Sequence, residues 1–342
     1  MSYLRLALIG ASLTASPLHA EWISGEEAIM GTAIRVELWQ DDAAPDAANP
    51  GRDAIAAVMN EMRRIDRLMS PFIPDSELSR INRDAAAQAI AIDRELFDLI
   101  QTSLKFSKLT NGAFDITFSS VGYLYDYRAG VMPADTQIAQ ALPNIDYRHI
   151  ALDSARGEIR FLRSGVRIDL GGIAKGYAVD RGIEILRARG VREALVSAGG
   201  DSRLLGNRHG RPWMIGIRDP RAPGREGKPV AMLPLQDAAI STSGDYERFF
   251  ERDGVRHHHI INPRTGRAAD TVRSVTIIGA DATTTDALST GVFVLGVDAG
   301  MALVRSLKNI DAVIVDRAGK LFFSPGLAAP RETSNKHLQP KS

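Results

Sequence analysis

The sequence predicts an α+β fold, and three observations carry that expectation. Two long runs, near 55–69 and 93–109, place apolar residues at helical spacing. Short β-branched runs lie around them, some paired across turn residues as hairpins are. Strands and helices follow one another without strict βαβ alternation and without an internal repeat.

Taken in order, Met30-Gly31 precedes an alternating run, Thr32 to Trp39, that reads as a strand. Residues 41–51, rich in Asp, Ala and Pro, read as a loop. Ile55, Val58, Met59, Met62, Ile65, Leu68 and Met69 share one helix face, and the helix stops near Ser70-Pro71. Asp75 or Ser76 caps a short helix through Asn82. A second long helix runs from Asp93 to Leu109 and closes at Asn111-Gly112. Residues 128–147 form a helix–loop excursion. Ala151–Asp153 and Glu158–Phe161 form a hairpin.

Val166-Arg167-Ile168 reads as a short strand feeding a helix from Gly176 to Leu186. Further strands are expected at Ala194–Ala198, Trp213–Ile217, Val230–Leu235, Ala238–Thr242 and Val275–Ile278. A helix begins near Asp286, another covers Met301–Leu307, and Ala312–Val315 with Leu321–Phe323 closes the chain as a hairpin.

The 342 residues suffice for one large domain or two ordinary ones. Apolar residues make up 44% and charged residues 24%, as in a globular protein with a sizeable core. The net charge of +1 gives no footing for a nucleic-acid partner. Arg5, the apolar run Leu6–Leu13 and Ser16-Pro-Leu-His-Ala20 predict a signal peptide over 1–20. No cysteine is present, which excludes disulfides, thiolate chemistry and a cysteine lipid anchor. The expectation is an exported periplasmic protein with one domain over 21–327, a disordered tail over 328–342 and no transmembrane span in the mature chain.

The chemistry starts at Asp169-Leu-Gly-Gly-Ile-Ala-Lys-Gly-Tyr177. A glycine pair between a strand and a helix lets backbone approach a ligand and leaves N–H groups at the helix start, where anions are favoured. A tight turn with close helix–sheet contact explains the same pattern. Asp286-Ala-Leu-Ser-Thr290 puts Asp286, Ser289 and Thr290 on one helix face. Carboxylate and hydroxyl oxygens suit Mg²⁺, but from spacing alone an N-cap at Thr285 or Asp286 is the better explanation. His257, His258 and His259 diverge in direction, so they do not form one metal site.

With Gly199-Gly-Asp201, Thr242-Ser-Gly-Asp-Tyr246 and His259-Ile-Ile-Asn-Pro-Arg-Thr-Gly266, these segments occur in the order seen in the ApbE family. Met30-Gly-Thr32, Ser76–Asn82 and Gly112-Ala-Phe-Asp115 also resemble that family, and the resemblance spans roughly residues 25–325. It implies a T-fold-like unit of mixed sheets packed with helices in two interleaved lobes. It also implies a flavin transferase that moves FMN from FAD to a Thr or Ser hydroxyl of a target protein. The link would be a phosphoester, AMP would leave, and Mg²⁺ would be required.

The metal ligands so implied are the Ala174 carbonyl, Asp286 and Thr290, with Ser289 beside them. The implied FAD contacts are Met30, Phe72, Ala113, Phe114, Asp115, Asp169, Gly171, Gly172, Lys175, Tyr177, Thr242, Ser243, His259 and Ile260. Phe72 stands where the family usually has a ring-stacking tyrosine, and Asn262 replaces a commoner Asp. Lys175 reads as a phosphate contact or a solvated helix residue, and Tyr177 as a ring-stacking or a core tyrosine. Thr242 and Ser243 read as phosphate donors or turn caps. Asp115 and Asp169 bind flavin or ribose groups, or hold neighbouring N–H groups. Asp286 and His259 are the candidate acid–base residues. The partner would be a protein carrying a D-x-x-[ST]-G-A-T-like motif. The chain's own Asp286–Val292 lacks the final Ala-Thr of that motif, which argues against self-modification. FAD hydrolysis to FMN and AMP, and non-catalytic flavin binding, are the competing readings.

Overall fold

The computed structural model describes residues 20–40, 49–222 and 228–328. The expected signal peptide and tail therefore lie outside the described residues, apart from Ala20 and Ala328.

Eight strands form the main sheet: β1 (Glu21–Ile29), β2 (Thr32–Gln40), β3 (Ala194–Ala198), β4 (Asp201–Leu205), β5 (Ala239–Gly244), β6 (Val272–Gly279), β7 (Asp311–Asp316) and β8 (Leu321–Phe323). Their spatial order is their chain order, and every ladder is antiparallel. Each strand thus pairs with its predecessor, and the other elements are excursions between neighbours. The largest lies between β2 and β3, where Leu38 pairs with Ala194 across the helical segment.

That segment carries α1 (Pro50–Met69), α2 (Glu77–Asp84), α3 (Arg94–Leu109) and α4 (Ala174–Ala188). Asn49 caps α1 and Pro50 opens it, where a missing N–H costs nothing. Ser76 caps α2 through Ser79 N–H, and Asp93 caps α3 through Glu95 N–H. Asn111 and Gly112 both take positive φ after α3, as expected for its end. A helix–loop excursion does follow, with a short helix at Asp135–Ala141.

α5 (Ala282–Ser306) joins β6 to β7. It begins one turn before the expected start, because Asp281, not Thr285 or Asp286, accepts the Thr284 N–H as N-cap. The two helices expected here follow end to end within α5, separated at Gly296, where φ is 80°. Counted across that break, α5 is long and apolar enough to cross a membrane by length and composition alone. Its apolarity has another cause: Leu288, Val292, Phe293, Met301 and Val304 pack with Val275, Ile277, Ala312 and Ile314 in the core.

A second core joins α1–α4 to β1–β3. The opposite sheet face is covered by the hairpin Trp213–Ile217/Ala231–Leu235, through Trp213, Leu235, Leu204, Ile240 and Ile278. Val166–Ile168 forms no ladder. Its backbone is satisfied by side chains instead: Ile168 N–H donates to Asn82 Oδ1 at 2.7 Å, and Asn82 Nδ2 donates back to Ile168 O at 2.8 Å.

Candidate functional site

The site forms where α4 and α5 start against one another. Gly176 makes this approach possible, since a Cβ there would lie 2.1 Å from Ala282 O. Asp180, one turn along α4, fixes it. Its carboxylate accepts from Ala282 N–H at 2.8 Å, Thr283 N–H at 2.9 Å and the Thr283 hydroxyl at 2.6 Å, and pairs with Arg203 at 2.7 Å. Asp180 therefore caps a helix that is not its own, where a negative charge is favoured.

This crossing brings Asp286 against the start of α4. No side chain from the preceding turn caps α4. Asp286 Oδ2 supplies an acceptor from the facing helix, taking the Gly176 N–H at 2.9 Å. Asp286 is 2% exposed. Burial, and then the charge of Asp201, push its carboxyl up to about 7, against the pull of Lys175. Lys175 is not a solvated helix residue: it pairs with Asp201 and stands 3.8 Å from Asp286 Oδ2. Burial alone would lower the Lys175 ammonium, but Asp201 and Asp286 outweigh it and hold the group above its ordinary value.

One turn further along α5, Ser289 Oγ donates to Asp286 O at 2.9 Å and lies 2.8 Å from Ser243 Oγ on β5. Ser243 also reaches Thr290 Oγ1 at 3.4 Å. A Cβ on Gly172 would lie 3.1 Å from Thr290 Oγ1 and 3.3 Å from Phe114 Cε2. The Gly171-Gly172 turn thus packs directly on Thr290, two residues before Ala174. The structure brings Asp286, Ser289, Thr290, Ser243, Phe114 and the glycine turn into one cluster. Its oxygen-only donors suit a hard cation. Among the described residues no group of three or more His, Cys, Asp or Glu is placed to hold a metal, so a cation here would lean on hydroxyl and carbonyl oxygen.

The rim is built by turns. Met30 and Gly31, at φ 54° and 70°, make the β1–β2 turn. A Cβ on Gly31 would meet Arg248 Nη2 at 3.4 Å. Asp169 Oδ1 accepts the Gly171 N–H at 2.6 Å. Its carboxyl is raised by burial against that hydrogen bond and the Arg248 charge. The His259 N–H donates to Arg248 O at 3.1 Å, and its Nδ1 is buried without a partner among the described residues. Burial, then Arg248, His258 and Lys175, push the His259 ring down to about 3, so it is neutral. Phe72 stands 81% exposed.

Several expected contacts are used elsewhere. Tyr177 donates its hydroxyl to Glu95 at 2.6 Å and lines a separate cleft with Arg64 and Arg181, because it lies on another face of α4 than Gly176. Asp115 spends both oxygens locally, on Thr117 N–H and hydroxyl and on Tyr147 N–H. The Thr242 hydroxyl bonds Thr276 across the ladder at 2.9 Å, on the sheet face opposite Ser243. Ile260 is a core residue packed with Leu288 and Phe293, and Ala113 is buried beside Phe114.

This arrangement has relatives. The ApbE family profile matches residues 30–314. The chain belongs to the ApbE family. It is 33% identical over 309 residues to the FAD:protein FMN transferase of Treponema pallidum, covering 85% of this chain and 84% of that one. The Vibrio cholerae protein of the same name is 32% identical, covering 88% of each. Among solved structures, the ApbE protein of Thermotoga maritima matches with a TM-score of 0.81 at 34% identity, over 90% of this chain and 98% of that one. The flavin transferase ApbE of Vibrio cholerae matches with a TM-score of 0.79 at 28% identity, over 91% and 99%. The α+β architecture is thus that of ApbE proteins.

Three contributors escaped the sequence reading of this ApbE chain. Asp180 carried one signal, an acid among the buried Ala178, Val179, Gly182 and Ile183 of α4. Asp201 stood in a quoted motif without a role. Arg248 lay in a segment with no expected strand, and only the fold brings it to the rim.

Proposed function

We propose that the protein is a FAD:protein FMN transferase that requires Mg²⁺, joins FMN to a Thr or Ser hydroxyl through a phosphoester, and releases AMP. The single observation behind the finer chemistry is one cluster in which Thr290 packs on the Gly171-Gly172 turn, Asp286 takes the Gly176 N–H and Ser289 meets Ser243. Family membership supports flavin transfer itself.

In this reading Asp286, Thr290 and the Ala174 carbonyl hold the cation, with Ser289 beside them. When bound, Mg²⁺ supplies Lewis-acid charge to a pyrophosphate. The glycine turn lets the phosphates approach backbone. Lys175, fixed by Asp201, places an ammonium at the start of α4 whose charge that carboxylate balances. Phe72 offers an uncovered ring for stacking. The neutral His259 can accept a hydrogen bond from the substrate through Nδ1, which has no partner among the described residues. The acceptor is a protein with a D-x-x-[ST]-G-A-T-like sequence. The N-terminal pattern supports export to the periplasm.

The test is incubation with FAD, Mg²⁺ and a protein bearing that sequence. Flavin fluorescence on the denatured acceptor, with equimolar AMP, is expected. AMP without labelling would replace transfer by hydrolysis, and retained FAD with neither product would leave a binding protein.

A further inference from the structure

We propose that Arg248 is a phosphate-binding residue of this site, its guanidinium held at the Met30–Gly31 turn to take the pyrophosphate oxygens of the dinucleotide. The inference deepens the flavin-transfer reading and rests on it.

The position is built rather than incidental. Arg248 immediately precedes the hairpin Phe249–Arg252/Val255–His258, and its carbonyl accepts the His259 N–H at 3.1 Å. Backbone pairing thus places Arg248 beside His259. The side chain then extends to the β1–β2 turn, with Nη2 at 3.4 Å from the position a Gly31 Cβ would take. A Cβ at residue 31 would touch the guanidinium at ordinary contact distance, and the left-handed φ of 70° favours glycine there.

Its electrostatic reach covers the site. The Arg248 charge acts on Asp169 beside the glycine turn, on Lys175 at the start of α4, and on His259.

Its valences are open. Lys175 is committed to Asp201 and Asp286. Arg256 and Arg273 are paired with Asp245. Among the described residues, the Arg248 side chain has neither a carboxylate partner within salt-bridge distance nor a side-chain hydrogen bond, and it is exposed. A planar guanidinium with free N–H groups at the rim of a glycine turn matches phosphate oxygens in shape and charge.

The test uses the purified protein with R248A and R248K, titrated with FAD and with riboflavin under metal chelation and followed by flavin fluorescence. R248A is expected to weaken FAD about tenfold or more, by loss of charge-assisted hydrogen bonds, and to leave riboflavin and the melting temperature unchanged. R248K should recover part of the loss, because it restores charge without the fork. Unchanged FAD affinity, or equal weakening of FAD and riboflavin, would overturn the assignment. If the unmodified protein binds neither flavin, the flavin reading fails by itself and inorganic pyrophosphate becomes the probe. A pyrophosphate-induced rise in melting temperature that R248A loses supports Arg248. An equal rise in both proteins, or none in either, rejects it.

Discussion

Asp286 Oδ2 accepts the Gly176 N–H at 2.9 Å, so the carboxylate proposed to hold a cation also closes the first turn of the facing helix. Substitution therefore separates two roles. Asp286→Ala should lower Mg²⁺-dependent AMP release by about a hundredfold or more. It should also cost about 1–3 kcal/mol of stability, by orphaning a buried N–H. Asp286→Asn keeps an acceptor and should lose activity with less destabilisation. Urea unfolding beside the AMP assay reads both, and full activity in Asp286→Ala would sink the metal assignment.

Lys175 and Asp201 form a pair in which Asp201 is 2% exposed. Lys175→Met should destabilise by about 3 kcal/mol, because it strands a buried charge. Lys175→Met with Asp201→Asn should recover much of that stability. A double-mutant cycle in urea checks this, and strict additivity would refute the coupling.

Gly176→Ala probes the helix crossing. Its Cβ would lie 2.1 Å from Ala282 O and 2.7 Å from Asp286 Cβ, so the backbones must part. A loss of about 1–3 kcal/mol is expected. Activity measured well below the melting transition should fall too, since Asp286 would shift with α5.

Phe72 is 81% exposed, so little folding energy rests on it. Phe72→Ala should leave the melting temperature unchanged and weaken FAD about tenfold, the scale of one lost ring–ring stack. Phe72→Tyr should bind FAD like the unmodified protein. Equilibrium fluorescence titration decides, and unaltered affinity in Phe72→Ala would remove Phe72 from the site.

His258 gives a pH signature of folding. Its Nε2 lies 2.6 Å from Ala269 O, and its Nδ1 accepts the Ile260 N–H at 3.3 Å, which fits only the neutral ring. Burial, with Arg256 and His257 and against Asp270, lowers it from 6.5 to about 4. The unfolded chain thus takes up the proton first as pH falls. This contribution is intact above pH 6.5, declines as pH falls from 6.5 to 4, and is gone below about 4. Urea midpoints at pH 7 and pH 5 should differ more for the unmodified protein than for His258→Asn. Equal differences would exclude His258.

The long helices were legible because their buried faces repeat at helical spacing, and the caps Ser76 and Asp93 sat where such residues belong. β1 was missed because Glu21–Ile29 is a polar edge strand that buries little. β4 was missed because it opens on a carboxylate buried against a lysine from another element. The error at Val166–Ile168 ran the other way. The pattern is extended, but Asn82 takes the place of a neighbouring strand. In the site, residue types located the oxygen donors. They were silent on facing direction, which sent Tyr177 to Glu95 and Thr242 to Thr276.

The sheet whose spatial order follows the chain has a consequence for biogenesis. The β1–β2 hairpin can form as soon as it is made, but the edge it offers to β3 stays open until the whole helical insertion has been synthesised. That edge belongs to a strand bearing Ile34, Val36 and Leu38, apolar and β-prone. A nascent chain in this interval is a template for intermolecular pairing, so the yield of native protein should depend on holding the hairpin apart from its copies until β3 arrives.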